Sequence, residues 1–532
     1  MREGSQSVSD SSVFGSSRSP EQAALPVIPT ALVEVDVVSR WRDGVPTAVP
    51  VFDGASGPDL AAAAEPWGAD VSLLEALGVT ASVGEVRTVP LPDGRFGWVV
   101  GAGSGEPGHW RAIGASIARA ARAKLGEGVA SDDDPADLGD AADAEYVQVL
   151  LPADADVELV SALTLGLSLG DYRFRVSAEP AAPRMRKALL VVPGGADADA
   201  FRVAVARAEE LAAATSLTRD LANAPSNVKN PAWLAGAGTA LAGPLQGVTA
   251  TVRDEKWLAD KGFGGVLAVG GGSVSPPRLL ELAWRPDGVK SGPHLVLVGK
   301  GITFDTGGLS LKPADGMHLM RTDMAGGGAV LSALLSIARL RLPVRVTALV
   351  PSAENHVSGS SYRPGDVVRH YGGKTTEVGN TDAEGRMVLA DALAYAVDRL
   401  EPDYLVDVAT LTGAMKVALG LRTGGLFSTD ERLGKALRDA GERVGESWWP
   451  MPLLEDHAAD VRGELADVRQ APQGPGGITA ALFLREFIGD VPWAHLDIAG
   501  PGRADKSYDE VVPGATGFAA RTLVELAASL AA

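Results

Sequence analysis

From Ala198 onward the sequence alternates short β-branched runs with amphipathic helical ones. That alternation restricts the fold to a mostly parallel sheet flanked by helices, because parallel neighbours need a crossover long enough to hold a helix. The strand-like runs are Leu267–Val269, Leu279–Ala283, His294–Val298, Val344–Val350 and Tyr404–Val408. Helical periodicity falls at Ala325–Leu340, Glu384–Leu400 and Arg432–Val444. Sheets of this kind gather their ligands beyond the carboxyl ends of the strands. Residues just after a strand are therefore where chemistry is expected.

A chain of 532 residues is too long for one core. Upstream, Ala31–Val38, Glu85–Pro90 and Phe96–Val100 read as strands and Trp110–Leu125 as an amphipathic helix. Tyr146–Leu151, a helix near Val157–Leu169 and Lys187–Val192 complete a smaller α/β unit. The expected organisation is a disordered Ser-rich tail over 1–25, an N-terminal α/β domain over 26–197, a connecting helix and turn over 198–230, and a larger α/β domain over 231–532. The acidic stretch Ser131–Glu145 reads as a solvated loop.

Composition removes several functional classes. There is no cysteine, which excludes disulfides, thiolate nucleophiles and Cys-ligated metals. The seven histidines are scattered and form no HExxH, so a metal site must rest on Asp, Glu and Lys. A net charge of −19 argues against a broad nucleic-acid surface. No apolar run approaches the ~18–20 residues of a membrane helix, and the Ser-rich N-terminus lacks the apolar core of a secretory signal. A cytoplasmic protein without membrane partners is expected.

Two glycine motifs have ordinary readings. Gly103-Ser-Gly105-Glu-Pro-Gly108 matches GxGxxG, but the acidic residue ending a second strand is missing, so a glycine turn is expected. Gly166-Leu-Ser168-Leu-Gly170 matches GxSxG, yet it ends an apolar helix where a nucleophile elbow needs a strand-to-helix turn. Helix packing is the expected role of its glycines.

The charged blocks differ. Lys300-Gly-Ile-Thr-Phe-Asp305-Thr-Gly-Gly-Leu-Ser-Leu-Lys312 follows the strand ending at Val298, and Asp323 precedes Gly326-Gly327-Gly328 and a helix. Asn380-Thr381-Asp382-Ala383-Glu384-Gly385-Arg386 opens another helix after the Gly372-Gly373 turn. Singly, each charge would read as a surface ion pair. Clustered in an apolar framework, the carboxylates would be too costly without cations. Hard divalent cations take oxygen ligands, and two of them can clamp a nucleophile and a developing oxyanion. A metal-dependent hydrolase follows, with peptide and phosphate-ester substrates both open at this point.

These blocks resemble the leucyl aminopeptidase family of dinuclear metallo-exopeptidases over roughly Leu217 to the C-terminus. The likeness extends to Ala409-Thr410-Leu411-Thr412-Gly413-Ala414, Ile478–Phe487 and Pro492-Trp493-Ala494-His495-Leu496-Asp497. The heptapeptide Asn380–Arg386 is its most specific part. The resemblance implies that Asp305 and Glu384 bridge two divalent ions, Mn²⁺ or Zn²⁺, with Lys300 and Asp323 completing one shell and Asp382 the other. It implies Lys312 and Arg386 as the catalytic pair, with Arg386 holding a bicarbonate. Met320, Thr410, Leu411 and Gly413 would form the pocket for the N-terminal side chain. Peptides with a free N-terminus would be substrates, and the subunits would assemble as a homohexamer of two trimers. A DNA-binding accessory role is known among relatives; the charge of −19 weighs against it here. Two departures stand out. His318, within Met317–Asp323, is expected to alter pocket charge, and Arg469–Gly477 is richer in proline than the family's usual loop.

Overall fold

The computed structural model describes residues 27–91, 94–129, 145–177, 184–288 and 292–531. Residues 1–25 and the acidic stretch up to 144 lie outside the described residues. Two sheets organise the rest. The first carries β1 (Glu34–Val38), β2 (Thr47–Gly54), β3 (Val86–Pro90), β4 (Phe96–Gly103), β5 (Tyr146–Leu150) and β6 (Lys187–Val191), in the order β1-β6-β5-β2-β4-β3. All these pairings are parallel except β3 with β4.

Helix α1 (Pro107–Val129) packs on this sheet, and α2 (Val157–Leu169) packs on α1. Their contact is close because glycine lines it. A Cβ on Gly166 would lie 2.2 Å from the Arg111 carbonyl oxygen, and one on Gly170 2.3 Å from Ala115 Cα. Ser168 is buried inside α2. The GxSxG match is therefore a helix-packing surface, as expected, and not a nucleophile elbow. At the other motif, Trp110 Nε1 donates to the Gly105 carbonyl at 3.1 Å, and Gly103 and Gly105 take positive φ.

The long helix α3 (Ala198–Asn223) joins the two units, packing against α2 on one side and against the larger unit on the other. Asp197 caps its N-terminus by accepting from the Asp199 and Ala200 amides. Leu165 and Leu169 share a core with Leu211, Leu217 and the helices of the larger unit, so the units are fused through apolar burial.

The second sheet contains β7 (Val248–Arg253), β8 (Arg278–Trp284), β9 (His294–Gly299), β10 (Gly301–Asp305), β11 (Arg345–Asn355), β12 (Tyr404–Ala409), β13 (Thr423–Ser428), β14 (Ser447–Pro450) and β15 (Trp493–Asp497). Its order is β14-β13-β15-β12-β9-β11-β8-β7, with β10 beside β11. The centre, from β15 through β12 and β9 to β11, is parallel. Antiparallel pairings occur toward the edges, β11 with β8, β8 with β7 and β15 with β13. Central strands are buried along almost their whole length, as a sheet covered on both faces requires. Helices α5 (Ala325–Arg339) and α6 (Glu384–Leu400) lie against this sheet.

One expected strand is a helix. Leu267–Val269 lies inside α4 (Gly264–Gly270). Short apolar runs do not separate strand from buried helix, and here the neighbours decide. The Val266 amide donates to Asp391 at 2.8 Å, and a Cβ on Gly265 would meet the Met387 carbonyl at 2.3 Å. Tight docking on α6 thus holds the segment helical.

Candidate active site

The charged blocks converge at the carboxyl end of the parallel strands. Lys300 separates β9 from β10; its amide donates to the Val408 carbonyl of β12, and its own carbonyl accepts from Gly327 at the start of α5. Asp305 ends β10, Asp323 precedes α5 and Glu384 opens α6. The side chains then form two linked groups. Lys300 Nζ lies 2.9 Å from Asp323 and 2.7 Å from Glu384, and donates to the Thr410 carbonyl at 3.1 Å. Lys312 Nζ lies 2.7 Å from Asp305 and 2.5 Å from Asp382.

Local backbone explains the convergence. Gly307 and Gly308 take φ of +86° and +63°, the left-handed region that glycine enters without steric cost. This turn brings the Lys312 amide back to the Thr306 carbonyl at 2.9 Å. Thr381 bolts the heptapeptide to the same turn: its hydroxyl donates to the Gly307 carbonyl and accepts from the Ser310 amide. At Gly385 a Cβ would sit 2.5 Å from Lys300 Cε, so only glycine lets the lysine cross the first turn of α6. Gly385→Ala is expected to displace Lys300 and weaken metal binding by about 10–100-fold, the scale seen when a group supporting a metal site is lost. Calorimetric titration with Mn²⁺ reads this directly; unchanged affinity would show that Lys300 has room to move.

Electrostatics favour a cation. Four carboxylates (Asp305, Asp323, Asp382 and Glu384) face two ammonium groups, Lys300 and Lys312. Burial and mutual repulsion push the Asp305 and Asp323 carboxyls up, and burial, then Asp305, pushes Asp382 up. For Lys300, burial favours the neutral amine, but Asp323, Glu384 and Asp305 outweigh it and hold the ammonium above the usual lysine range. Lys312 is held up likewise, Asp305 outweighing burial. Burial dominates at Asp305, Asp323 and Asp382 and attraction at the two lysines, so these five groups all move upward.

Oxygen lone pairs are left over. Asp323 Oδ2, Asp382 Oδ1 and Glu384 Oε1 are buried and accept no well-directed hydrogen bond beyond these ion pairs. Asp305, Asp382 and Glu384 each offer a carboxylate oxygen, all within 4.8 Å of one another. Such a hard-oxygen set fits divalent cations. A cation there would also relieve the excess negative charge.

The expected pocket residues lie in the same place. Met320, Thr410, Leu411 and Gly413 line a cavity of about 570 Å³ together with the four carboxylates, both lysines and Arg386. The Thr410 hydroxyl donates to Asp323 Oδ1 at 2.7 Å, tying the pocket wall to the charged cluster. Arg386 is buried; burial lowers its guanidinium to about 10 against the pull of Glu384 and Asp497. One of its nitrogens donates to the Gln470 carbonyl, and its Nε has no partner. His318 is the exception. It is exposed, does not line the cavity, and its backbone carbonyl accepts from Arg321. The 3₁₀ turn Met317–Thr322 directs Met320, and not His318, inward.

Several bracing residues escaped the sequence reading. Asn355 donates to Asp305 Oδ1 at 2.8 Å and to the Thr381 carbonyl at 3.0 Å, while the Tyr362 hydroxyl donates to that carbonyl at 2.7 Å. Gln470 is buried, and its side-chain oxygen accepts from the Gly379 and Asn380 amides. The proline-rich loop is thereby pinned beneath the heptapeptide. Lys229, also buried, donates to the carbonyls of Leu221, Ala222 and Arg321, clamping the end of α3 to the segment that carries Met320 and Asp323. A lone lysine or glutamine gives no spacing signal; an Asn-Pro helix start directly after Lys229 was the only local hint.

Fold and site together define a hydrolase of the divalent-metal class, with its chemistry at the strand ends of a parallel sheet. Comparison with known proteins gives the family. Residues 216–524 match the cytosol aminopeptidase family, catalytic domain. A probable cytosol aminopeptidase of Streptomyces coelicolor is 43% identical over 501 residues, covering 91% of this chain and 95% of its own. The bottromycin maturation enzyme BotP, solved in complex with Mn, is 38% identical with a TM-score of 0.78, covering 91% of this chain and 99% of its own. A variant of tomato leucine aminopeptidase aligns with a TM-score of 0.82 at 28% identity, covering 95% and 98%. The chain belongs to the cytosol aminopeptidase family, and it is a metal-dependent aminopeptidase. Among the described residues, no helix is long and apolar enough to cross a membrane.

Proposed function

We propose that this enzyme removes Leu-like N-terminal residues from peptides at a dinuclear metal site, where Asp305 and Glu384 would be shared holders of two divalent ions. Lys300, Asp323 and Asp382 would complete the set of residues that hold them. The observation that carries the reading is the oxygen cluster of Asp305, Asp382 and Glu384, each offering an oxygen within 4.8 Å of the others, with Asp382 Oδ1 and Glu384 Oε1 met only by lysine ammonium groups. The ions supply Lewis-acid polarisation of the scissile carbonyl and a water nucleophile active near neutral pH.

The chain's own residues do the rest. Lys312, a fifth exposed toward the cavity, keeps its charge and is positioned to donate to the oxyanion that forms at the attacked carbonyl. Lys300 is nearly enclosed between Asp323 and Glu384; its amine would join the ligand set only with its proton released to solvent, since a ligand must be deprotonated. Met320, Leu411 and Gly413 receive an apolar first side chain. A hydrophobic pocket separates neighbouring side chains by only about 1–3 kcal/mol per methylene, so specificity is broad. Arg386, with its unpartnered Nε, is the group that would hold a bicarbonate. The ions are Mn²⁺ or Zn²⁺, and the family resemblance supports a cytoplasmic homohexamer, which light scattering checks.

The test is a reconstitution panel: chelator-stripped protein given Mn²⁺ or Zn²⁺, then assayed on leucyl, methionyl, aspartyl and lysyl amides and on a phosphate ester. Apolar amides should be turned over fastest and the ester not at all. Ester hydrolysis without amide hydrolysis would overturn the reading.

A further inference from the structure

A second cavity of about 680 Å³ lies against the active-site cavity, and Arg503 lines both. Its walls come from both units. Arg119, Arg173, Arg175, Arg321 and Arg503 line it against a single carboxylate, Asp171. Asp171 is already bound by Arg122 at 3.0 Å, outside the lining. In a protein of net charge −19, this concentration of arginine is a local reversal of sign. Like charges crowded in a partly desolvated space are unfavourable unless an anion joins them.

Arg503 is poised for a ligand. Its Nη1 is buried without a hydrogen-bond partner, and its Nη2 makes only a 3.3 Å contact to the well-exposed Asp505. Arg321 sits in the same 3₁₀ turn as Met320, and burial and Arg503 together lower its guanidinium. The hairpin Arg503–Ala504 with Gly514–Ala515 holds Arg503 in place, and Asn223 at the end of α3 secures it by accepting from the Ala515 amide at 3.1 Å. The wall is therefore built on fixed backbone, and a guanidinium fork matches a carboxylate.

We propose that Arg503, supported by Arg321, binds the carboxylate of the peptide segment on the leaving side of the scissile bond. The site thereby favours short peptides with a free C-terminus. This rests on the aminopeptidase reading: an amine held at the carboxylate cluster leaves the rest of a di- or tripeptide, at ~3.3–3.6 Å per residue, to run along the cavity that Arg503 also lines. A specificity-determining role for Arg503 follows.

The experiment compares kcat/KM of the metal-loaded enzyme on Leu-Gly and Leu-Gly-Gly with their C-terminal amides. The free acid should be preferred by at least about tenfold for one of the two lengths, the effect of one hydrogen bond to a charged group. The difference should lie mainly in KM. Arg503→Gln should bring the acid-to-amide ratio to near one, Arg503→Lys should keep part of it, and Arg321→Gln should lower it. A wild-type ratio near one at both lengths overturns the proposal without any variant, as does a ratio that survives Arg503→Gln. No hydrolysis of any of the four substrates would instead sink the aminopeptidase reading itself.

Discussion

Glu384→Ala is expected to abolish peptide hydrolysis by losing metal, and Asp382→Ala should do the same. Glu384 is buried at the first position of α6, where the helix N-terminus favours its charge, and it reaches both Lys300 and the shared oxygen cluster. Removing it leaves Lys300 facing Asp323 with no carboxylate from α6, and takes away a proposed bridging ligand. Asp382 supplies the more open side of the cluster and the contact that steers Lys312. Inductively coupled plasma analysis should find less metal per chain in both variants. Chelation of the unmodified protein should reproduce the loss, and Mn²⁺ or Zn²⁺ should reverse it. Variants that keep wild-type metal content yet lose turnover would mean these carboxylates act on the substrate directly.

The second large effect separates the two lysines. Both are ion-paired to two carboxylates, so charge does not distinguish them; exposure does. The Lys300 side chain is 4% exposed, while that of Lys312 is 20% exposed on the cavity wall. Lys312→Ala should retain metal and lower kcat by about 10²–10³, the usual loss when an oxyanion donor is removed. Lys300→Ala should lower metal occupancy, with excess metal restoring part of the activity. Metal loss in Lys312→Ala together with full occupancy in Lys300→Ala would reverse the roles.

Much of this site was legible in the sequence because its chemistry sits in short blocks. Lys300, Asp305 and Lys312 share one short block of sequence, and Asp382, Glu384 and Arg386 share one helix start. The βα alternation of the larger unit was legible for a similar reason: its central strands are short, mostly apolar runs spaced by helical periodicity. What stayed hidden depends on distant partners. The strands Thr47–Gly54, Val248–Arg253 and Thr423–Ser428 carry proline, glycine or polar residues, and sheet neighbours determine their conformation. The helix Gly264–Gly270 is fixed by α6 and Asp391, far along the chain. Gln470 and Asn355 brace the site through single amide groups, which no spacing rule detects. His318 lies off the cavity for a different reason: segment membership fixes neither the direction of a side chain nor its distance from the cavity.

The central claim is that hydrolysis belongs to divalent ions held by Asp305, Asp382 and Glu384. The most direct measurement is bound metal per chain against leucyl-amide turnover, as Mn²⁺ or Zn²⁺ is returned stepwise to chelator-stripped protein. The account predicts negligible turnover at zero metal and a rise that saturates at about two ions per chain, the stoichiometry of two-metal hydrolases. Full turnover in the stripped protein would contradict it.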